Sequence, residues 1–232
     1  MRLVFTAFNR PFYFREVMQS WASVRGFVDW APTVFLEPSN QADAMITIAK
    51  EAGASVRLND RRHGVLSNPW HALEAGFVSD EFVVLAEDDV LVSDDILEYF
   101  TWAATAYRFQ RVLAVCAASF HETSGPEQEH VVERHRQFCP LVWGTWRDRW
   151  DSYLRDTWDH HYNTGTPDAP QSGWDWNINL RILPVYGLDV ISPYASRSTH
   201  IGEHLGIHTT QFSFPGSVAK TFRPHREPGQ FR

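Results

Sequence analysis

Three adjacent carboxylates, Glu87-Asp88-Asp89, follow directly on the apolar run Phe82-Val83-Val84-Leu85-Ala86. A continuous apolar run of that length is the kind of strand buried on both faces of a sheet. In open α/β sheets, ligands sit at the carboxyl ends of the strands. Neighbouring carboxylates placed there repel one another unless a cation or hydrogen-bond donors hold them. A hard divalent ion, Mn²⁺ or Mg²⁺, takes oxygen ligands and is shared between one or two carboxylates and a substrate phosphate. The triplet therefore points to a metal-bridged diphosphate. Its plainer reading is a solvated acidic turn ahead of the helix expected at 94–107, where Asp94 and Asp95 sit as first-turn acids.

A second set of candidates lies in the other half of the chain. Asp175 stands between Trp174 and Trp176, and flanking rings would strip part of its water and raise its proton affinity, as a general base requires. The competing reading is an acid in the first turn of a helix. Trp143, Trp146, Trp150, Trp158, Trp174 and Trp176 crowd into this region. Rings of this kind stack on the C–H faces of sugars, although most tryptophans simply pack. Trp143 or Trp174 is expected near a ligand, and Trp146 and Trp150, four apart, on one buried helix face. His200, His204 and His208 are also spaced by four, but Gly202 and Gly206 interrupt them. A glycine-hinged loop that brings His200 or His208 to a metal or diphosphate suits that pattern better than a regular helix. Arg197 is expected either to neutralise a diphosphate or to form a structural salt bridge.

The elements that must position these residues are legible in the first half. Apolar runs at 3–8, 33–37, 54–58, 82–86 and 111–119 read as strands. Between them, 41–52 reads as a helix closed by Gly53, and Asn68-Pro69 as the N-cap and first residue of a helix running to Gly76. About five alternations of strand and helix imply βαβ units and a mostly parallel central sheet flanked by helices. The chain after 120 is irregular: a polar loop at 121–136, the Trp-rich stretch, a Pro/Gly-rich loop at 163–173, and a charged tail at 223–232 expected to be poorly ordered. One domain is expected over 1–232, with 1–120 and 121–222 as its two halves.

Composition sets the outer limits. The chain has 232 residues, 44% hydrophobic and 21% charged, which is a globular mixture and rules out disorder as the main state. A net charge of -7 gives no general attraction to nucleic acid or anionic lipid. The cluster Arg134, His135, Arg136, Arg147 and Arg149 keeps a local nucleic-acid surface in view. No apolar run is long enough to cross a membrane, so no membrane partner is expected. The start, MRLVFTAFNRP, reads as a first strand and not a secretory signal, so a cytoplasmic enzyme of a bacterium, or of a virus infecting one, is expected. Cys116 and Cys139 read as two buried thiols.

Read in order, these segments resemble the N-acetylglucosaminyltransferase I family, nucleotide-sugar glycosyltransferases of the GT-A fold. The acidic strand with Glu87-Asp88-Asp89 and the following Asp94 and Glu98-Tyr99-Phe100 is similar to that family's. So are the first strand ending at Asn9-Arg10, VFLEPSN at 34–40, SNPWHALEAGF at 67–77, AVCAASF at 114–120, FCPLVWGTW at 138–146, GWDWNINLR at 173–181 and SPYASRSTHIGEHLGIH at 192–208. The resemblance covers some 200 residues. It implies a GT-A-like α/β domain with a Trp-rich acceptor side, and a hexosyl-type transfer from a nucleoside-diphosphate donor, with UDP as the nucleotide and inversion at the sugar carbon. Asp89 would bind Mn²⁺ or Mg²⁺; Glu87 and Asp88 would contact the ribose and sugar; Arg10, Glu37 and Asn68 would hold the nucleotide. Arg197 and His208 would face the diphosphate, and Asp175 would be the general base. The loop at 121–136 is this chain's own, so the acceptor stays open among a glycan, a protein and a modified nucleobase hydroxyl. Two other classes compete: a zinc hydrolase built on His200, His204 and His208 with Glu203, and a non-catalytic carbohydrate binder.

Overall fold

Each apolar run of the first half becomes a strand, and each stretch between them carries a helix that covers the sheet. The computed structural model describes residues 1–119, 121–161, 173–202, 219–227 and 229–232. Strand β1 (Arg2–Ala7) leads into helix α1 (Pro11–Ala22), then β2 (Thr33–Leu36), α2 (Ala42–Glu51), β3 (Ser55–Leu58), α3 (Gly64–Gly76) and β4 (Phe82–Glu87). Next come β5 (Val90–Val92), α4 (Ile96–Ala106), β6 (Val112–Cys116), β7 (Val132–His135), β8 (Trp143–Trp146), β9 (Asp189–Pro193) and β10 (Ser198–His200). Two short helical passages complete the second half: Arg147–Arg149 continuing into π-helical Trp150–Leu154, and Trp174–Asn177 continuing through π-helical Ile178–Ile182 to Leu183–Tyr186.

Eight strands form the central sheet in the order β3-β2-β1-β4-β8-β6-β9-β7. β1, β2, β3 and β4 are mutually parallel, as are β6 and β9, while β8 runs antiparallel between β4 and β6. β7 lies antiparallel at the outer edge. β5 and β10 make a separate antiparallel pair in which His200 faces Val90. The chain steps outward from β1 to β3 and then returns to place β4 on the other side of β1. The carboxyl ends of β1 and β4 thus flank a topological switch point, where open α/β sheets bind ligands. This mostly parallel, helix-flanked sheet is the expected fold class.

Both faces of the sheet are dry over its inner strands β1, β4, β8 and β6, while the edge strands β3 and β7 are partly exposed. Leu3, Phe5 and Ala7 of β1 point to one side and meet α1, α2 and α4 through Phe14, Trp21, Met45 and Phe100, with the Phe5 and Trp21 rings edge to face at 5.4 Å. Val4, Val83 and Leu85 point to the other side and meet Ala72 and Leu73 of α3 together with Trp143, Trp150 and Trp174. Two successive positions of one strand therefore serve two cores.

Several local expectations change. Trp146 and Trp150 do not share a helix face: Trp146 ends β8 and packs on Phe82, whereas Trp150 stacks on Phe77 in the opposite core. The chain passes from strand to helix between them, which separates the two faces. Helix α3 starts at Gly64, a turn earlier than Asn68-Pro69 suggests, and Pro69 lies inside it. Asn68 is committed sideways, its Nδ2 donating to Phe35 O at 3.0 Å, so its side chain does not cap the helix. Nor do Asp94 and Asp95 cap α4; Asp95 accepts from Ser93 Oγ at 2.7 Å and from Arg197, and Asp94 accepts from the Arg226 backbone N–H. The loop at 121–136 contributes strand β7. The 223–232 tail is docked: Asp94 N–H donates to Pro224 O, Val132 N–H to Arg232 O, and Arg232 N–H to His130 O. No helix among the described residues is long and apolar enough to cross a membrane.

Candidate active site

The switch point gathers residues that are far apart in sequence. β1 ends at Ala7, and the chain turns through Phe8, Asn9 and Arg10 before α1; β4 ends at Glu87 and delivers Asp88 and Asp89 beside that turn. Arg10 bridges the two aspartates, donating from Nη2 to Asp88 Oδ1 and from Nη1 to Asp89 Oδ2 at 2.7 Å. The Phe8 backbone N–H donates to Asp88 Oδ2 at 3.1 Å. The short pairing of β5 with β10 brings His200 back over the triplet, with its Nε2 3.1 Å from Asp89 Oδ2. The backbone locks that approach, because Ile201 N–H donates to Asp89 O at 2.9 Å.

Burial and crowding shape the charges here. Burial pushes the Glu87 carboxyl up to about 8, helped by Asp89 and Asp88 and, further off, by Asp175, against the opposing pull of Arg10. Burial also raises Asp88, although Arg10 and the Phe8 N–H counteract it. Asp89 goes the other way: burial would raise it, but the His200 hydrogen bond and Arg10 win and hold it below the usual carboxylate range. The Arg10 guanidinium is raised despite its own burial, because Asp88 and Asp89 face it. Burial and the neighbouring carboxylates thus work against charge on Glu87, while Arg10 and His200 favour it on Asp89.

A divalent cation fits this arrangement. Asp89 Oδ1 is buried and has no hydrogen-bond partner among the described residues, a costly state that a bound ion relieves. Gly202 lies so close that a Cβ there would stand 2.5 Å from Asp89 Oδ2 and 3.0 Å from His200 Nε2. Only a residue without a side chain leaves that carboxylate and imidazole clear. Among the described residues no three His, Cys, Asp or Glu side chains converge into a ready-made metal cage. An ion held by few protein ligands completes its shell with substrate oxygens and water. His204, His208 and Glu203 lie outside the described residues, as does most of the 163–173 loop.

The other expected residues fall into two groups. Asp175 joins the site: it is half-buried in the first turn of Trp174–Asn177, and its charge reaches both Glu87 and Cys139. Trp176 beside it is 41% exposed. Trp143 and Trp174 are buried in a column in which Trp158 stacks on Trp174 at 4.9 Å and Trp174 on Trp143 at 5.8 Å. Glu37 and Asn68 lie one strand further along, at the end of β2. Glu37 is buried, its Oε2 accepting from the His63 N–H at 2.8 Å and its Oε1 from Asn59 Nδ2 at 3.1 Å. Asn59 also reaches Asn68 Oδ1 at 2.9 Å. This network fastens the 59–64 loop that rims the cleft. Arg197 has no exposed surface; its Nε and Nη2 grip Asp95 Oδ2 at 3.2 and 3.0 Å, which is the salt-bridge alternative and not a diphosphate contact. Of the basic cluster only Arg149 is buried; the other arginines make exposed surface pairs. Arg134 and Arg136 pair with Asp189, Arg147 with Glu81, and Arg149 with Asp148 and backbone carbonyls.

Sequence reasoning missed the Phe8 N–H, the Asn59 bridge and the role of Gly202. The first two carry no sequence signal. Gly202 was read as a hinge, whereas its described role is close approach.

A scan against models of protein families gives no match, and neither does a search of curated proteins. Solved structures do match. Staphylococcus aureus TarS 1–349 in complex with UDP-GlcNAc aligns at a TM-score of 0.59 and 12% identity, over 90% of this chain and 60% of that one. Glucosyl-3-phosphoglycerate synthase from Mycobacterium tuberculosis, in complex with Mn²⁺, UDP-glucose and phosphoglyceric acid, aligns at 0.54 and 17% identity, over 88% and 73%. The mannosyltransferase PcManGT from Pyrobaculum calidifontis, in complex with GDP-Man and Mn²⁺, aligns at 0.51 and 16% identity, over 83% and 54%. The chain spans less than two thirds of the TarS fragment it matches. The fold is therefore that of the GT-A nucleotide-diphospho-sugar transferases. None of the three carries the name of the N-acetylglucosaminyltransferase I family.

Proposed function

We propose that this protein transfers a sugar from a nucleoside-diphosphate donor, UDP-linked by preference, to an acceptor hydroxyl, with inversion and with help from Mn²⁺ or Mg²⁺. The observation that carries the reading is the orphaned, buried Asp89 Oδ1 at the switch point, beside Arg10 and His200, in a fold shared with transferases crystallised with such donors.

In this reading Asp89 and His200 hold the cation, whose chemistry is to neutralise the charge developing on the departing diphosphate. Asp88, positioned by Phe8 N–H and Arg10, and Glu87 would face the ribose and sugar. Glu37 and Asn68 shape the nucleotide pocket by fixing the 59–64 rim. Asp175 takes the proton from the acceptor hydroxyl as that oxygen bonds to the anomeric carbon; the bond from this carbon to the diphosphate breaks, and the nucleoside diphosphate leaves.

The test is a thermal-shift panel of nucleoside diphosphates and their sugars, each with and without Mn²⁺. A ligand that binds only the folded state at 100 times its Kd adds about 2.7 kcal/mol of stability. Stabilisation by at least one UDP compound that needs Mn²⁺, and that Asp89→Asn abolishes, is expected. No stabilisation by any member of the panel overturns the reading.

A further inference from the structure

We propose that Arg10 is the resident counter-cation of the metal position, and that it makes uptake of a divalent ion conditional on the donor diphosphate. The inference rests on the transferase reading above and adds the residue that sets the order of events. Arg10 is the one guanidinium described as reaching both Asp88 and Asp89. Its side chain is 17% exposed, and those of the two carboxylates 5% and 6%. Charges this far from bulk water are poorly screened.

Three of the four oxygens of these aspartates already have donors. Asp88 Oδ1 has Arg10, Asp88 Oδ2 has Phe8 N–H, and Asp89 Oδ2 has Arg10 and lies against His200. Asp89 Oδ1 alone is left. A divalent ion arriving alone finds one unpaired and buried oxygen, with a positive guanidinium on the other oxygen of the same carboxylate. The same ion arriving with a diphosphate brings compensating negative charge, and the phosphate oxygens offer the planar fork of Arg10 a second partner of the kind it binds best. The backbone of Arg10 stays where it is, because its carbonyl accepts Phe14 N–H at 3.0 Å in the first turn of α1. The exchange therefore needs only the side chain to turn.

Two binding events that share one residue in this way are coupled reciprocally. Removing the positive charge should tighten binding of the metal alone and flatten its dependence on the diphosphate. The experiment titrates Mn²⁺ by electron paramagnetic resonance, with and without saturating UDP, into wild type, Arg10→Met and Arg10→Lys. Wild type should show weak Mn²⁺ binding that UDP strengthens. Arg10→Met should bind Mn²⁺ alone at least about fivefold tighter and lose at least about fivefold of the UDP enhancement. Arg10→Lys, which keeps the charge without the fork, should fall between them. A measurement on wild type guards against a variant that fails to fold. The guanidinium nitrogen NMR signals of Arg10 should move on adding Mg²⁺ with UDP and stay in place on adding Mg²⁺ alone. UDP uptake with its Mn²⁺ coupling unchanged in Arg10→Met, or an Arg10 signal that responds fully to Mg²⁺ alone, overturns this inference and leaves the transferase reading standing. Failure of wild type to take up UDP with Mn²⁺ present overturns both.

Discussion

An aspartate works as a base only where some of its water is gone and an acceptor can still reach it. In the proposed mechanism Asp175 fills that role: it is half-buried, between buried Trp174 and exposed Trp176 in sequence. Because it is assigned to the proton and not to the donor, its variant separates the two steps. Asp175→Asn is expected to bind UDP and Mn²⁺ within about twofold of wild type while kcat falls by about 10²- to 10⁴-fold, the usual contribution of a positioned base. Calorimetric titration and release of nucleoside diphosphate measure the two halves; wild-type turnover in this variant removes Asp175 from the mechanism. Legibility at this scale follows sequence distance. Glu87, Asp88 and Asp89 were visible because they are contiguous behind a buried strand. Their partners come from far along the chain, Arg10 78 residues from Asp88 and His200 111 from Asp89; the sequence marks both as candidates without showing that they meet on the same carboxylate. Arg197 illustrates the converse: an arginine near a histidine-rich stretch looks available until its burial against Asp95 is seen.

Elements of the first half were readable because local and global signals agree there. The inner strands β1, β2, β4 and β6 are apolar at successive positions, as a sheet covered on two sides requires. The second half breaks that agreement. β7 is Val-Glu-Arg-His, β10 is three residues long, and β8 is Trp-Gly-Thr-Trp; such segments become strands through their partners and not through their own pattern. β8 shows the cost of this dependence. It enters antiparallel between β4 and β6, and Gly144 pairs with Val84 where the Phe82 ring crosses it. A Cβ at Gly144 would come within 2.6 Å of Phe82 Cζ and 3.0 Å of Val84 Cγ2. Gly144→Ala should therefore destabilise by about 1–3 kcal/mol through overpacking. Urea unfolding followed by tryptophan fluorescence tests this; unchanged stability would mean that the β4–β8 contact is looser than described.

Across the whole molecule, the C-terminal tail closes the structure over the β5–β10 pair that carries His200 to Asp89. Composition alone marked 223–232 as loose, because proline, glycine and charge say nothing about a single well-placed ring. Phe231 supplies that ring. It packs 5.4 Å from Tyr99, 5.5 Å from Trp102 and 5.2 Å from His130, and the Arg197 guanidinium lies 5.1 Å over its face. Arg197 in turn grips Asp95 and spans the start of α4 and the approach to β10. The ring thus shields a buried ion pair from water, and removing it acts twice, through lost apolar contact and through a solvated charge pair. Phe231→Ala is expected to cost about 1–3 kcal/mol, which for a chain of this size lowers the melting temperature by about 2–12 °C. The exposed neighbour Gln230→Ala should leave it unchanged. Because β10 holds His200, the loosened variant should also show weaker Mn²⁺-dependent stabilisation by UDP, whereas Gln230→Ala should not. Scanning calorimetry of both variants, with and without Mn²⁺ and UDP, reads the two effects together. A Phe231→Ala protein that melts with wild type would show that the tail is carried by the fold and does not help to hold it.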